Sequence, residues 1–133
     1  MILTITQVHT ILDLETAAVL AGERVLYDNQ LDTTYSKGNL PYVKQRVMQS
    51  SSEMFELGSR SRSRKYGTLI FDILYRVGTG SAARNALLQK IDEGFRSKSL
   101  GGVTLFGVQS LGESSALNWV IDSHLIPFYF YSI

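Results

Sequence analysis

Gly67-Thr-Leu-Ile-Phe-Asp-Ile-Leu-Tyr-Arg-Val-Gly-Thr-Gly-Ser-Ala-Ala-Arg-Asn-Ala-Leu-Leu-Gln-Lys-Ile-Asp-Glu-Gly-Phe95 holds two different periodicities joined by a glycine turn. Leu69, Phe71, Ile73, Tyr75 and Val77 alternate, so an extended chain sends all five to one side. After Gly78-Thr-Gly80 the apolar positions change to Ala83, Leu87, Ile91 and Phe95, one stripe of a helix. A strand and a helix joined by so short a turn pack on each other, and this unit is expected at the centre of the core.

Outward from it, Ile5, Val8, Ile11, Leu12, Ala18 and Val19 predict a first helix ending near Gly22, a residue suited to a C-cap. A short extended piece at 24–27 precedes a loop from Asp28 to Pro41. Pro41 to Met48 reads as a strand. Ser50-Ser-Ser-Glu53 matches a helical capping box, but Met54 to Leu57 also suits a continued strand, and the strand is preferred. Gly58 to Lys65 contains no apolar residue and is expected to be an exposed loop. The second helix should end near Ser97, with a strand at Val103–Val108 and a turn at Ser110–Ser115. A long last strand, Ala116–Tyr131, places Leu117, Trp119, Ile121 and Leu125 on one face. Val120, Ile126, Phe128 and Phe130 lie on the other, with Asp122 and His124 among them. Pro127 cannot donate to a ladder and so is expected at an edge or a bulge. The order predicts an α+β fold: an antiparallel or mixed β-sheet with helices packed on one face.

The 133 residues suit a single domain, residues 1–133, able to bury a core. A 44% hydrophobic and 19% charged composition is that of a globular chain, not a disordered one. With no cysteine, disulfides and thiolate chemistry are excluded. No apolar run is long enough to span a bilayer, and the N-terminal residues do not form a signal-peptide pattern. The net charge of +1 hides an asymmetry. Residues 1–34 carry Asp13, Glu15, Glu23, Asp28 and Asp32 against Arg24 alone, so the remainder is basic. Such a division suits contact between the acidic edge of one copy and the basic edge of the next, as well as two unlike solvated faces.

Several patterns bear on chemistry. Gly78-Thr79-Gly80-Ser81-Ala82-Ala83 has the spacing and context of a dinucleotide turn. The acidic residue that would end the following strand is missing; Val103-Thr-Leu-Phe-Gly-Val reaches no acid before Glu113. The alternative is a structural turn in which Thr79 or Ser81 caps the helix. His9 and His124 share no metal-ligand spacing, and Asp122 and His124 can hydrogen-bond along one strand face without a nucleophile motif beside them. Arg60, Arg62, Arg64 and Lys65 are either a solvated loop or a grip on phosphates or an acidic protein surface. In Phe128-Tyr-Phe-Tyr131 one pair faces the core; Tyr129 and Tyr131 are the better pair for a half-wet interface.

The order of these features resembles the small tail terminator (tail completion) proteins of long-tailed bacteriophages with non-contractile tails, and a related phage family known as a domain of unknown function. The resemblance runs through the N-terminal helix, Leu57-Gly58 before the Arg-rich loop, Gly67-Thr-Leu-Ile-Phe-Asp-Ile73, Gly78-Thr-Gly80 with Ala83, and Ile91 to Phe95. Gly102-Val103-Thr104, Trp119 and Ile126-Pro-Phe-Tyr-Phe130 complete it. One departure is Arg76-Val77, where relatives often carry Pro before the Gly-Thr-Gly. The resemblance implies a tail-terminator-like fold and a homo-oligomeric, typically hexameric, ring that caps the tail tube at the head–tail junction of the virion. The ring would be assembled in the host cytoplasm. Its partners would be its own copies, the tail tube protein and a head-completion or neck protein, with passive contact to DNA in the lumen and none to a membrane. It implies no catalytic residue, cofactor or metal. Arg60, Arg62, Arg64, Lys65, Asp13, Glu15, Tyr129 and Tyr131 are the candidate interface residues. The alternatives are a connector or neck protein of another layer, a nucleotide-binding enzyme using Gly78-Thr79-Gly80, and a DNA-binding module using the arginines.

Overall fold

A reciprocal capping box opens the first helix, α1 (Ile5–Val19): Thr4 Oγ1 accepts from the Gln7 amide, and the Gln7 side chain accepts from the Thr4 amide. The computed structural model describes residues 2–28, 30, 35, 38–54 and 63–132, with no side chains described for 50–54. Along this chain follow β1 (Val25–Leu26), β2 (Tyr42–Met54), β3 (Ser63–Arg76), α2 (Ala82–Phe95), β4 (Ser99–Leu100), β5 (Val103–Leu105), β6 (Gln109–Ala116) and β7 (Trp119–Ser132). Among the described residues the strands form one seven-stranded sheet in the order β1-β2-β3-β7-β5-β4, with β6 also paired to β7. Only the β1–β2 pair is parallel. The fold is therefore α+β, with a mixed sheet.

Both helices cover the same face. Val8 and Leu12 of α1 and Leu87, Ile91 and Phe95 of α2 share a core with Val43, Leu69, Phe71, Ile73, Ile126, Phe128 and Phe130. Phe71 and Phe95, one from each half of the opening stretch, lie with ring centroids 5.2 Å apart. Each such buried aromatic contributes roughly 2–3 kcal/mol by leaving water. Gly78 and Gly80 take φ of +86° and +79°, so the turn between strand and helix needs glycine at both places. Thr79 and Ser81 do not cap α2, contrary to expectation: Thr79 Oγ1 donates to Arg76 O, and the Ser81 side chain makes no capping bond.

Other expectations change at element ends. The second strand continues through 50–54 as preferred, the rest of that reading (55–57) and 58–62 lie outside the described residues, and residues 63–65 are not loop but the start of β3. The 110–115 turn is instead β6, exposed on both faces. Its polar residues show no alternation because neither face is buried, so the sequence signal of a strand is missing. The actual turn is Leu117-Asn118, with φ of +52° and +67°, which removes Leu117 from the last strand's face. The strand expected at 103–108 stops at Leu105. Pro127 is on a central strand, not an edge. β6 pairs with β7 only as far as Leu125 and β5 begins at Phe128, so the proline falls at the break between two neighbours. Its carbonyl accepts from Phe106 N, and its missing donor points into that same break.

Candidate interaction surface

The sheet face away from the helices carries no helix among the described residues; at its far end Tyr42, Leu74 and Trp119 form a small buried cluster with Tyr35 packed on it. Alternation places Arg64, Tyr66, Thr68 and Ile70 of β3 on this face, opposite Tyr131, Tyr129, Pro127 and Leu125 of β7. At the end where β3 begins and β7 finishes, these side chains form an aromatic patch around one cation. Arg64 Nη2 donates to the Tyr131 hydroxyl at 2.9 Å and Nη1 to the Tyr66 hydroxyl at 3.4 Å. Its Cζ lies 4.8 Å from the Tyr129 ring centroid and 5.5 Å from that of Tyr131. Tyr129 also packs against Tyr66, Tyr131 and Phe106, and the Phe106 side chain is 45% exposed. The hydrogen bonds that Arg64 donates to the Tyr66 and Tyr131 hydroxyls push its guanidinium above its ordinary value. Rigid aromatic area held around an arginine is the composition of an interaction hot spot.

The candidate residues are distributed unevenly. Arg64, Tyr129 and Tyr131 come together. Lys65 alternates to the helix-covered side at the same end. Arg60 and Arg62 lie outside the described residues. Asp13 and Glu15 belong to the opposite layer: Asp13 accepts from Gln45 Nε2 at 3.1 Å, and Glu15 pairs with Lys98. Glu23 likewise pairs with Lys90 at 2.6 Å. The acidic N-terminal section is thus largely engaged within its own chain. The patch residues missed in the sequence are Tyr66 and Phe106. Tyr66 directly follows the basic run and nothing local marks it as part of an aromatic patch, and Phe106 falls past the end of β5, inside the strand expected at 103–108.

A second polar group joins α2 to the β6–β7 hairpin. Asp122, 3% exposed, accepts from His124 Nε2 at 2.8 Å and from Arg84 Nη1 at 3.3 Å. Arg84 also approaches Glu113 at 3.9 Å, and the Tyr75 hydroxyl donates to Glu113 at 3.3 Å. Burial, and then the charge of Glu113, raise the Tyr75 phenol above its ordinary value. The His124–Asp122 bond follows from their shared strand face; the contribution of Arg84 and Glu113 needed the topology. Among the described residues, no group of His, Cys, Asp and Glu has the geometry of a metal site.

No protein-family model matches the chain, and no curated protein matches it significantly. The chain is similar to a solved protein structure known by a sequence identifier, with a TM-score of 0.68 and 14% identity over 96% of each chain. At that identity the similarity carries the fold alone. No described helix is long and apolar enough to cross a membrane.

Proposed function

We propose that the chain is a structural assembly protein of a long, non-contractile phage tail: copies close into a ring that caps the tail tube, ends its growth and offers a surface to head-completion proteins. It works by contact, with no reaction of its own. The observation that carries this reading is the Arg64–Tyr66–Tyr129–Tyr131–Phe106 patch, half-exposed on the sheet face that the helices leave uncovered. An aromatic and arginine cluster at a sheet end is a surface that a partner would desolvate. A closed ring needs a heterologous interface, in which two different surfaces of one copy meet on successive copies. The patch supplies one of them. The sequence order shared with tail terminators supports the same reading.

Two measurements test it. Tails assembled without the protein should be overlong in electron micrographs; tubes of normal length that fail only to join heads would assign it to another neck layer. Reversal of charge by Arg64→Glu should leave the monomer folded and abolish incorporation into tails. Wild-type incorporation of that variant would remove the patch from the interface.

A further inference from the structure

Among the described residues β6 has a neighbour on one side only. All eight of its residues are exposed, and it pairs with β7 alone. The opposite margin of the sheet is guarded. β1 covers part of β2, and beyond it the Asp28 carboxylate accepts from the Val47 amide at 2.8 Å. β6 carries no proline or lysine, and Glu113 is its one charged side chain. Its one irregularity is a register shift between Ser110 and Gly112.

Beside this margin runs a groove of about 460 Å³, lined on one side by Asn85, Leu88, Gln89 and Asp92 of α2 and on the other by Val108, Ser110 and His124. Leu88 and Val108 supply its apolar contacts, Asn85, Gln89, Ser110 and His124 offer uncharged hydrogen-bonding groups, and Asp92 is its one carboxylate. The charges nearby are spent on each other. Arg84 lies between Asp122 and Glu113, and the lining Asp92 pairs with Arg96. His124 is 5% exposed and directs Nε2 to Asp122; Nδ1 makes no hydrogen bond among the described residues. With the proton on Nε2, Nδ1 is an acceptor held in place by Asp122. Opposite it in the ladder, Ser110 Oγ accepts from the Gly112 amide and keeps its own proton to donate.

We propose that the groove and the free margin of β6 together bind an extended, uncharged polypeptide segment of a partner protein, which joins β6 as an additional strand. Main-chain bonds to β6 supply the affinity, and alternate side chains entering between α2 and β6 supply the selection. With Asp92 balanced by Arg96 the groove carries no net charge, which suits an uncharged strand. Apolar side chains meet Leu88 and Val108, and a Ser, Thr or Asn donor meets His124 Nδ1. This site is separate from the Arg64 patch and stands whether or not that patch forms a ring contact.

The test is selection of a surface-displayed random-peptide library on the immobilised protein. The expected binders alternate apolar residues with Ser, Thr or Asn and lack charge. Their synthetic forms should slow hydrogen exchange at β6 amides that point away from β7. Placing a charge in the groove at exposed positions, by Asn85→Lys or Ser110→Glu, should weaken binding by about tenfold or more while the unbound fold is unchanged, and Arg64→Glu should leave it intact. Failure to select any binder, a charged consensus, or binders indifferent to both groove variants would each overturn the proposal.

Discussion

Gly94 sits where α2 meets the end of α1, and a Cβ built there would fall 2.4 Å from Val19 Cγ1 and 2.6 Å from Cγ2. Helix propensity favours alanine at such a position by about 1 kcal/mol, but overpacking costs about 1–3 kcal/mol. Gly94→Ala should therefore destabilise the protein in denaturant titrations by up to about 2 kcal/mol. A Val19→Ala background removes both Cγ atoms and leaves only Cβ, at 3.1 Å, so the same change should cost less there or become stabilising; an equal cost in both backgrounds would mean the helices do not meet there. Tyr75 gives a second prediction. Its phenol is raised by burial and by Glu113, so the unfolded chain loses that proton first as pH climbs. The folded state is favoured in full below about pH 10 and loses that advantage above it. Tyr75→Phe should flatten the alkaline fall in stability measured by urea midpoints, and an unaltered slope would count against the raised value. At this scale the sequence was partly readable. The alternation of Leu69, Phe71 and Ile73 and the stripe of Leu87, Ile91 and Phe95 named buried residues correctly, because each is a local pattern. Arg64 was read as part of a charged loop, since its aromatic neighbours come from the far end of the chain.

The β6–β7 hairpin turns through two left-handed residues, and one of them is a leucine that is 91% exposed. That side chain has nothing to pack against and a backbone conformation that suits it poorly, which costs about 1–2 kcal/mol. Leu117→Asn should raise stability by about 0.5–1 kcal/mol, visible as a melting midpoint higher by a few degrees. A lower midpoint would show that the leucine is held by contacts unlike those described. This element is also where the sequence misled. A strand exposed on both faces contains serines and a glycine and reads as a turn, while the turn contains leucine and reads as a strand. Pro127 misled for a related reason: the rule that places it at an edge concerns a missing donor, and a break between two short neighbours satisfies that rule inside a sheet.

At the scale of the molecule, the two longest paired strands are neighbours in the middle of the sheet but distant in sequence. Ser63 is opposite Ser132 and Arg76 opposite Trp119, with no register shift between. Both helices, β2, β5 and β6 depend on that pair, directly or through it. A chain ending at Ala116 should thus lose cooperative unfolding altogether, as judged by circular dichroism; a folded core in that fragment would refute the dependence. The α+β class and the one-sided placement of helices were legible because the periodicities alternate in the right order. The interaction patch was not, because it joins residues on two strands whose pairing only the finished sheet defines. The position of β7 has one more consequence, for biosynthesis. A ribosome making this chain emits every other strand before the one they are organised around, so their greasy sides wait unprotected until synthesis has passed Ser132. Slow translation should therefore prolong chaperone occupancy without speeding maturation, since nothing emitted earlier can settle into its final place.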